Sequence, residues 1–267
     1  MPAILQLGDS GAAVTQLQNA LKERGFSPGA IDGKFGQGTI AAVMAFQQSE
    51  NLLADGKAGP RTLAELGLVT DDTLPDATDA FTVQVVSRMF PQTPLGNIKA
   101  NLPVVLQALV DHKLQDKRMV LTALATIRAE TASFRPISEG VSRFNTSPNG
   151  HDFDLYDRRA DLGNQGPPDG ARYCGRGFVQ LTGRTNYATY GPQLDPAQDL
   201  VRQPELANDP SIAANLLALF IGDRELAIKD ALLHGDFQAA RRLVNGGTNG
   251  LYDFTNAYQT GDQLVPD

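Results

Sequence analysis

The sequence predicts a mainly α protein of two unequal domains, a three-helix N-terminal unit and a larger, predominantly helical unit with a small β-hairpin region. Three observations carry that prediction. The 267 residues exceed what one hydrophobic core commonly supports. An internal echo confined to residues 32–62 marks a small repeated unit near the start. Beyond residue 100, apolar residues recur mostly at helical spacing, interrupted between Arg135 and Arg176 by a long stretch rich in Gly, Pro, Asp and Asn.

In chain order, a first helix runs from Ala12 to Arg24, with Val14, Leu17 and Leu21 on one face and a stop at Gly25. The echo follows: Asp32-Gly33-Lys34-Phe35-Gly36-Gln37-Gly38-Thr39 returns 23 residues later as Asp55-Gly56-Lys57-Ala58-Gly59-Pro60-Arg61-Thr62. In each copy Asp-Gly makes a turn, and the threonine is placed to cap the next helix. Those helices carry Ile40, Val43, Met44 and Phe46 in one case and Leu63 and Leu66 in the other. Residues 1–68 therefore form the first domain. Residues 69–82 contain four aspartates, one proline and no basic residue, and read as an acidic, solvated linker.

The second domain spans 83–267. Pro103 fits the first turn of a helix over Val104 to Leu114, and Lys117 to Phe134 makes a second helix. Pro210 opens a long apolar helix to about Leu233, and a last helix runs from near Asp236 to Asn245-Gly246-Gly247.

Composition narrows the function. With 42% hydrophobic and 20% charged residues the chain is an ordinary folding sequence. Its longest apolar run, Ile212 to Ile221, falls far short of the roughly 18–20 residues of a membrane span, so no stable membrane association is expected. The first residues lack a basic n-region and an apolar h-region, which predicts a protein made and held in a cytoplasm. A net charge of −7 argues against nucleic-acid binding and against capture by anionic surfaces. Cys174 is the only cysteine, so no intramolecular disulfide can form, and it reads as a small buried apolar group. His112, His151 and His234 are isolated, and no Cys/His cluster has metal-ligand spacing. There is also no G-x-S-x-G elbow and no phosphate-binding glycine loop, so the expected chemistry uses neither metal nor cofactor.

Two resemblances give the chemistry a direction. Leu7-Gly8, Val14, Leu17-Gln18, Leu21, Gly25, Asp32-Gly33, Phe35-Gly36, Thr39, Ala42-Val43 and Phe46-Gln47 resemble the small helical peptidoglycan-binding module of many wall hydrolases, over about residues 3–68. Ala129-Glu130-Thr131, Glu139, the run from Tyr173 to Tyr187 and Asn245-Gly246-Gly247 resemble glycoside hydrolase family 19, the lysozyme-like and chitinase-like enzymes that include phage endolysins, over roughly residues 100–250. Secreted plant-type members are disulfide-bonded and this chain cannot be, which favours the bacterial and phage branch. Together the resemblances imply a modular phage endolysin with a lysozyme-like catalytic domain. Its partner would be peptidoglycan glycan strands, and its activity that of a muramidase cutting between N-acetylmuramic acid and N-acetylglucosamine. A chitinase-like hydrolase, a lytic transglycosylase using Glu130 alone, and a non-catalytic wall-binding protein stand as alternatives. The implied endolysin is a monomer that waits in the host cytoplasm until a membrane-permeabilising partner such as a holin admits it to the wall.

Glycoside hydrolysis needs a protonated carboxyl for the leaving oxygen and a second, ionised group on the opposite face. Glu130 lies three residues beyond Ile127 on the stripe of Val120, Leu124 and Ile127, so it projects from the buried side of its helix. Lost hydration there raises its proton affinity and suits it to general acid work; pairing with an arginine is the alternative. On that reading Glu130→Gln keeps the fold and can even gain stability, because a burial cost is removed. Glu139 follows Pro136, which is expected to stop the helix and turn the chain. Along a continuous helix the two would stand about 13 Å apart, against roughly 6.5–9.5 Å in inverting enzymes. Glu139 is assigned as general base or electrostatic stabiliser, with Asp152, Asp154 and Asp157 able to take that role instead. Gln180 and Thr182 alternate across Leu181 in an expected extended segment and so share a face. By resemblance, Thr182 helps hold the attacking water, Gln180 contacts sugar, and Asn245 bonds an N-acetyl group, although its Gly-Gly context equally suits a helix C-cap. Arg176 and Tyr187 either line the cleft or stabilise the hairpin.

Overall fold

The computed structural model describes residues 4–50, 52–68 and 76–266, and they fall into two compact units. Of the described residues, the first holds those up to 68 together with Leu226–His234, the second those over 76–225 and 235–266. The molecule is mainly α, as its sequence predicts.

The N-terminal part of the first unit holds α1 (Ala12–Glu23), α2 (Gln37–Ser49) and α3 (Pro60–Glu65). Val14, Leu17 and Leu21 meet Val43, Phe46 and Leu63 in its core, with Phe26 edge-on to Phe46 at 5.5 Å. Met44, expected inside, is 37% exposed, and Ala42 and Gln47 take the buried positions. The threonines of the echo do not cap. The N-cap residues of α2 and α3 are Gly36 and Gly59, and each threonine lies buried one turn in.

What the threonines do instead explains the echo. Gln18 Nε2 donates to Asp32 Oδ1, the Lys34 carbonyl and Thr39 Oγ1, while its Oε1 accepts the Gly33 N–H. Gln47 repeats this with Asp55, Lys57, Thr62 and the Gly56 N–H. One buried glutamine thus closes each Asp-Gly-Lys turn and satisfies the polar groups that the turn brings inside.

The second unit contains α4 (Val83–Met89), α5 (Leu95–Asp111), α6 (Lys117–Thr131), α7 (Asp169–Arg172), α8 (Arg184–Tyr190) and α9 (Pro210–Gly222). After α10 (Glu225–Leu233), whose residues 226–233 group with the first unit, come α11 (Phe237–Asn245) and α12 (Leu251–Leu264). At its centre is α6, buried on every side from Met119 to Ile127. Gly261 lets α12 approach it closely: a Cβ there would stand 2.5 Å from Leu121 and 2.8 Å from Met89.

Several expected boundaries move. Of the expected linker, residues 69–75 lie outside the described residues; the remainder is folded, with a 3-10 turn at Thr78–Ala80, a buried Phe81 and Thr82 capping α4. Pro103 lies inside α5 rather than at its start; it is on the exposed face, where the Lys99 carbonyl that loses its partner can face solvent. The helix expected to reach Leu233 breaks at Asp223 and Arg224. Beyond the expected last helix, α12 follows.

The turn after α6 sets up the site. The helix ends at Thr131 with Ala132 in the left-handed region (φ 49°), and Phe134 is left-handed as well (φ 54°). These two residues, not Pro136, reverse the chain. Side chains of α5 and the segment before it hold the strained turn: Thr93 Oγ1 donates to the Ala132 carbonyl, Asn97 to Ser133 and Asn101 to Phe134. Phe134 itself is fully buried between Phe90 and Phe178. From this anchor the chain enters β1 (Ile137–Ser138), which pairs antiparallel with β2 (Arg176–Gly177) in register Ile137 to Gly177.

Candidate active site

Glu130 stands in the last turn of α6. The helix is half-buried over residues 128–130, past its fully buried stretch, and the Glu130 side chain is 14% exposed. Its Oε1 accepts from Arg241 Nη2 at 2.8 Å. Arg241, on α11, is 1% exposed; its Nε donates to the Asn249 carbonyl at 2.8 Å, and its Nη1 finds no hydrogen-bond partner among the described residues. Burial pushes the Glu130 carboxyl above the ordinary carboxylate range, and the charge and hydrogen bond of Arg241 take back part of that rise. Desolvation and arginine pairing, alternatives in the sequence, occur together.

Glu139 has the opposite surroundings. Its Oε1 accepts from Asn145 Nδ2 at 2.9 Å and from the Tyr156 hydroxyl at 3.0 Å, and its Oε2 accepts from the Gly175 N–H at 3.1 Å. Its own N–H donates to the Gly175 carbonyl, extending the short ladder of β1 and β2. Burial and the Glu139 charge push the Tyr156 hydroxyl up to about 12, so it stays protonated as a donor. Three donors and a strand end thus hold one carboxylate.

Gly175 is the point on which the neighbouring groups converge. A Cβ placed there would lie 3.0 Å from Gln180 Oε1, 3.2 Å from Glu139 Oε2 and 3.2 Å from Thr182 Oγ1. The segment is not extended: Gln180 is left-handed (φ 52°), inside a tight turn closed by the Arg176–Leu181 bridge. That turn brings the side chains together by a different route. Both Gln180 amide protons are used, on the Ile137 and Gly177 carbonyls, and the Thr182 hydroxyl donates to the Gln180 carbonyl. What faces the Gly175 space is therefore a cluster of acceptor oxygens from a carboxylate, an amide and a hydroxyl.

The other sequence-selected residues have partners of their own. Tyr187 is fully buried, donates to the Cys174 carbonyl at 2.8 Å and receives Arg176 Nη1 at 3.0 Å, while Arg176 is half-buried. Asn245 ends α11 before left-handed Gly246, and its Nδ2 reaches the same Asn249 carbonyl that Arg241 holds. Asp152 is exposed, Asp154 is taken up by Ser147, and Asp157 pairs with His151 at 2.9 Å and accepts the Gly170 N–H. None of these three makes a hydrogen bond to Glu139 among the described residues. Cys174 is buried as expected.

Arg241, Asn145, Tyr156 and Gly175 were not singled out from the sequence. Arg241 had a signal: with Phe237, Ala240 and Val244 it lies on the apolar face of an amphipathic helix, where an arginine requires a buried partner. Asn145 and Tyr156 come from an aperiodic loop and had none.

Comparison with known proteins follows the division into units. Residues 10–66 match the family model described as a putative peptidoglycan binding domain. The spore cortex-lytic enzyme of Bacillus cereus is 46% identical over 59 residues, 22% of this chain and 23% of that protein. The zinc D-Ala-D-Ala carboxypeptidase of Streptomyces albus G is 33% identical over 172 residues, 60% of each chain. A glycosyl hydrolase family 19 domain-containing protein of Haemophilus influenzae is 28% identical over 114 residues, 39% of this chain and 48% of that protein. The chain thus spans less than two thirds of the length of each of these relatives.

Proposed function

We propose that this protein is a peptidoglycan-degrading glycosidase whose first unit binds the wall and whose second unit hydrolyses the glycan. One observation carries the reading: two carboxyls on consecutive segments sit in opposite environments, Glu130 desolvated with raised proton affinity and Glu139 held by three donors beside a cluster of acceptor oxygens. A buried, protonated Glu130 suits proton delivery to the leaving oxygen. Glu139, Thr182 and Gln180 present the acceptors that a water molecule needs to be held and relieved of a proton. In this division Arg241 positions Glu130, and Asn145 and Tyr156 position Glu139.

The match of residues 10–66 to a peptidoglycan-binding family supports the wall as substrate, and the Haemophilus influenzae relative, by its name, supports glycoside hydrolysis. Within that class we favour a muramidase acting as a monomeric phage endolysin, which a holin-type partner releases from the host cytoplasm. The lytic transglycosylase alternative makes no use of the hydrogen-bonded Glu139.

The test is clearance of permeabilised Gram-negative cells. Glu130→Gln and Glu139→Gln should each lower the rate by about a hundred- to ten-thousand-fold, the usual worth of general acid–base catalysis. A folded Glu130→Gln protein that clears at more than about a tenth of the wild-type rate would move the acid to another carboxyl.

A further inference from the structure

The loop between Glu139 and Tyr156 exposes a surface that the proposed hydrolysis does not use. Phe144 is 73% exposed, Val141 54% and Leu155 47%. Val141, Pro148 and Leu155 give apolar walls to a groove of about 560 Å³, and Arg143 lies along it. The Arg143 guanidinium rests 4.9 Å over the Phe144 ring and has no carboxylate partner among the described residues.

Most of the remaining polar side chains of the groove are already engaged. Thr146 Oγ1 donates to Asn145 and accepts the Phe153 N–H, and Ser142 Oγ accepts the Phe144 N–H. Asp154, the acid in contact with the groove lining, accepts the Ser147 N–H and hydroxyl. The groove therefore offers apolar walls and one unpaired cation, with few free groups for the hydroxyls of a sugar. It is joined to the proposed site through Asn145, which donates to Glu139 Oε1 and accepts the Ser142 N–H.

We propose that this groove takes the acidic peptide branch of the glycan whose backbone occupies the Glu130–Glu139 site, with Arg143 pairing to a carboxylate of that branch. Apolar peptide side chains match Val141, Pro148 and Leu155, and a peptide carboxylate supplies the charge that Arg143 lacks. The inference rests on the glycosidase reading and extends it: the enzyme distinguishes peptide-bearing from bare glycan.

The experiment measures kcat and KM of the full chain on soluble peptidoglycan glycan and on the same glycan stripped of peptides by an amidase. The wild type should show the lower KM on the peptide-bearing substrate, and added salt should narrow the difference. Arg143→Ala should raise KM on the peptide-bearing substrate relative to the stripped one by about three- to fivefold, the size of an exposed ion pair, at unchanged kcat. Arg143→Lys should restore most of it, since the charge returns. Equal KM values in the wild type, or an equal rise on both substrates, would overturn the proposal, as would a change from dimer to monomer on gel filtration, which would assign the face to a second copy. Cleavage of neither substrate would overturn the glycosidase reading and this inference with it.

Discussion

Glu130 and Arg241 share a cost that the sequence alone assigned to one of them. Read as an isolated buried carboxyl, Glu130 predicts that a neutral amide relieves strain and can stabilise the fold. Arg241 is 1% exposed with one of its nitrogens already unpartnered, so above the pH at which Glu130 ionises an amide in its place leaves a buried cation with less compensation. In that ionised range we expect Glu130→Gln to melt below the wild type, and Glu130→Ala to lose about 3–5 kcal/mol, the usual cost of breaking a buried pair. A Glu130→Gln protein that melts higher would show that desolvation outweighs the pair. The pH dependence follows from the raised proton affinity of Glu130. The folded state binds this proton more tightly than the unfolded chain, so stability is fully present below the ordinary carboxylate range and declines as pH rises through Glu130's elevated value. Activity should fall over that same upper limb, because the acid has lost its proton, and residual turnover by Glu130→Gln should lack the limb. At Gly175 the argument is steric. An added methyl within 3.0–3.2 Å of three oxygens must push at least one aside, so Gly175→Ala should lower kcat at least tenfold, by a roughly estimated loss of positioning, while changing the melt little. Wild-type kcat in that variant would show that the three oxygens need not converge.

At the scale of elements, legibility follows how local the cause is. The apolar stripe of α1, the burial around Glu130 and the end of α11 at Gly246 are written in neighbouring residues, and their placement agrees with the sequence reading. The end of α6 was misread because Pro136 is a visible breaker, whereas the actual turn uses left-handed Ala132 and Phe134, stabilised by Thr93, Asn97 and Asn101 from far earlier in the chain. The same holds for Gln180: an alternating pattern suggested a strand, but the tight turn from Arg176 to Leu181 produces the shared face through a left-handed residue. In the first unit the echo was legible but its cause was not, since glutamines next to core positions look like surface residues. Gln47→Ala should strand the Gly56 N–H, the Lys57 carbonyl and the Thr62 hydroxyl, and cost about 2–4 kcal/mol in a unit with few other polar ties. Gln18→Ala should behave alike at the other copy. Thermal melts of both variants check this, and an unchanged transition in either would mean that the clasp is incidental.

On the scale of the whole molecule, composition and charge bounded the class, and the repeat located the first unit, but the assignment of residues 226–234 to that unit depends on contacts between distant segments that no local pattern records. The surroundings of the two candidate carboxyls likewise draw on distant segments: a helix end near residue 130 with a helix near residue 241 for Glu130, and a loop over 139–156 with a turn over 175–182 for Glu139. Motif resemblance found the helix end near 130, the turn over 175–182, Glu139 in the loop and Asn245 at the end of the helix near 241. Its central consequence is the bond that is broken. Purified peptidoglycan digested by the full chain, reduced and analysed by mass spectrometry, reports that bond directly. Glycan fragments carrying new reducing muramic acid ends are the predicted result; intact glycan strands with released or trimmed peptides would contradict the account.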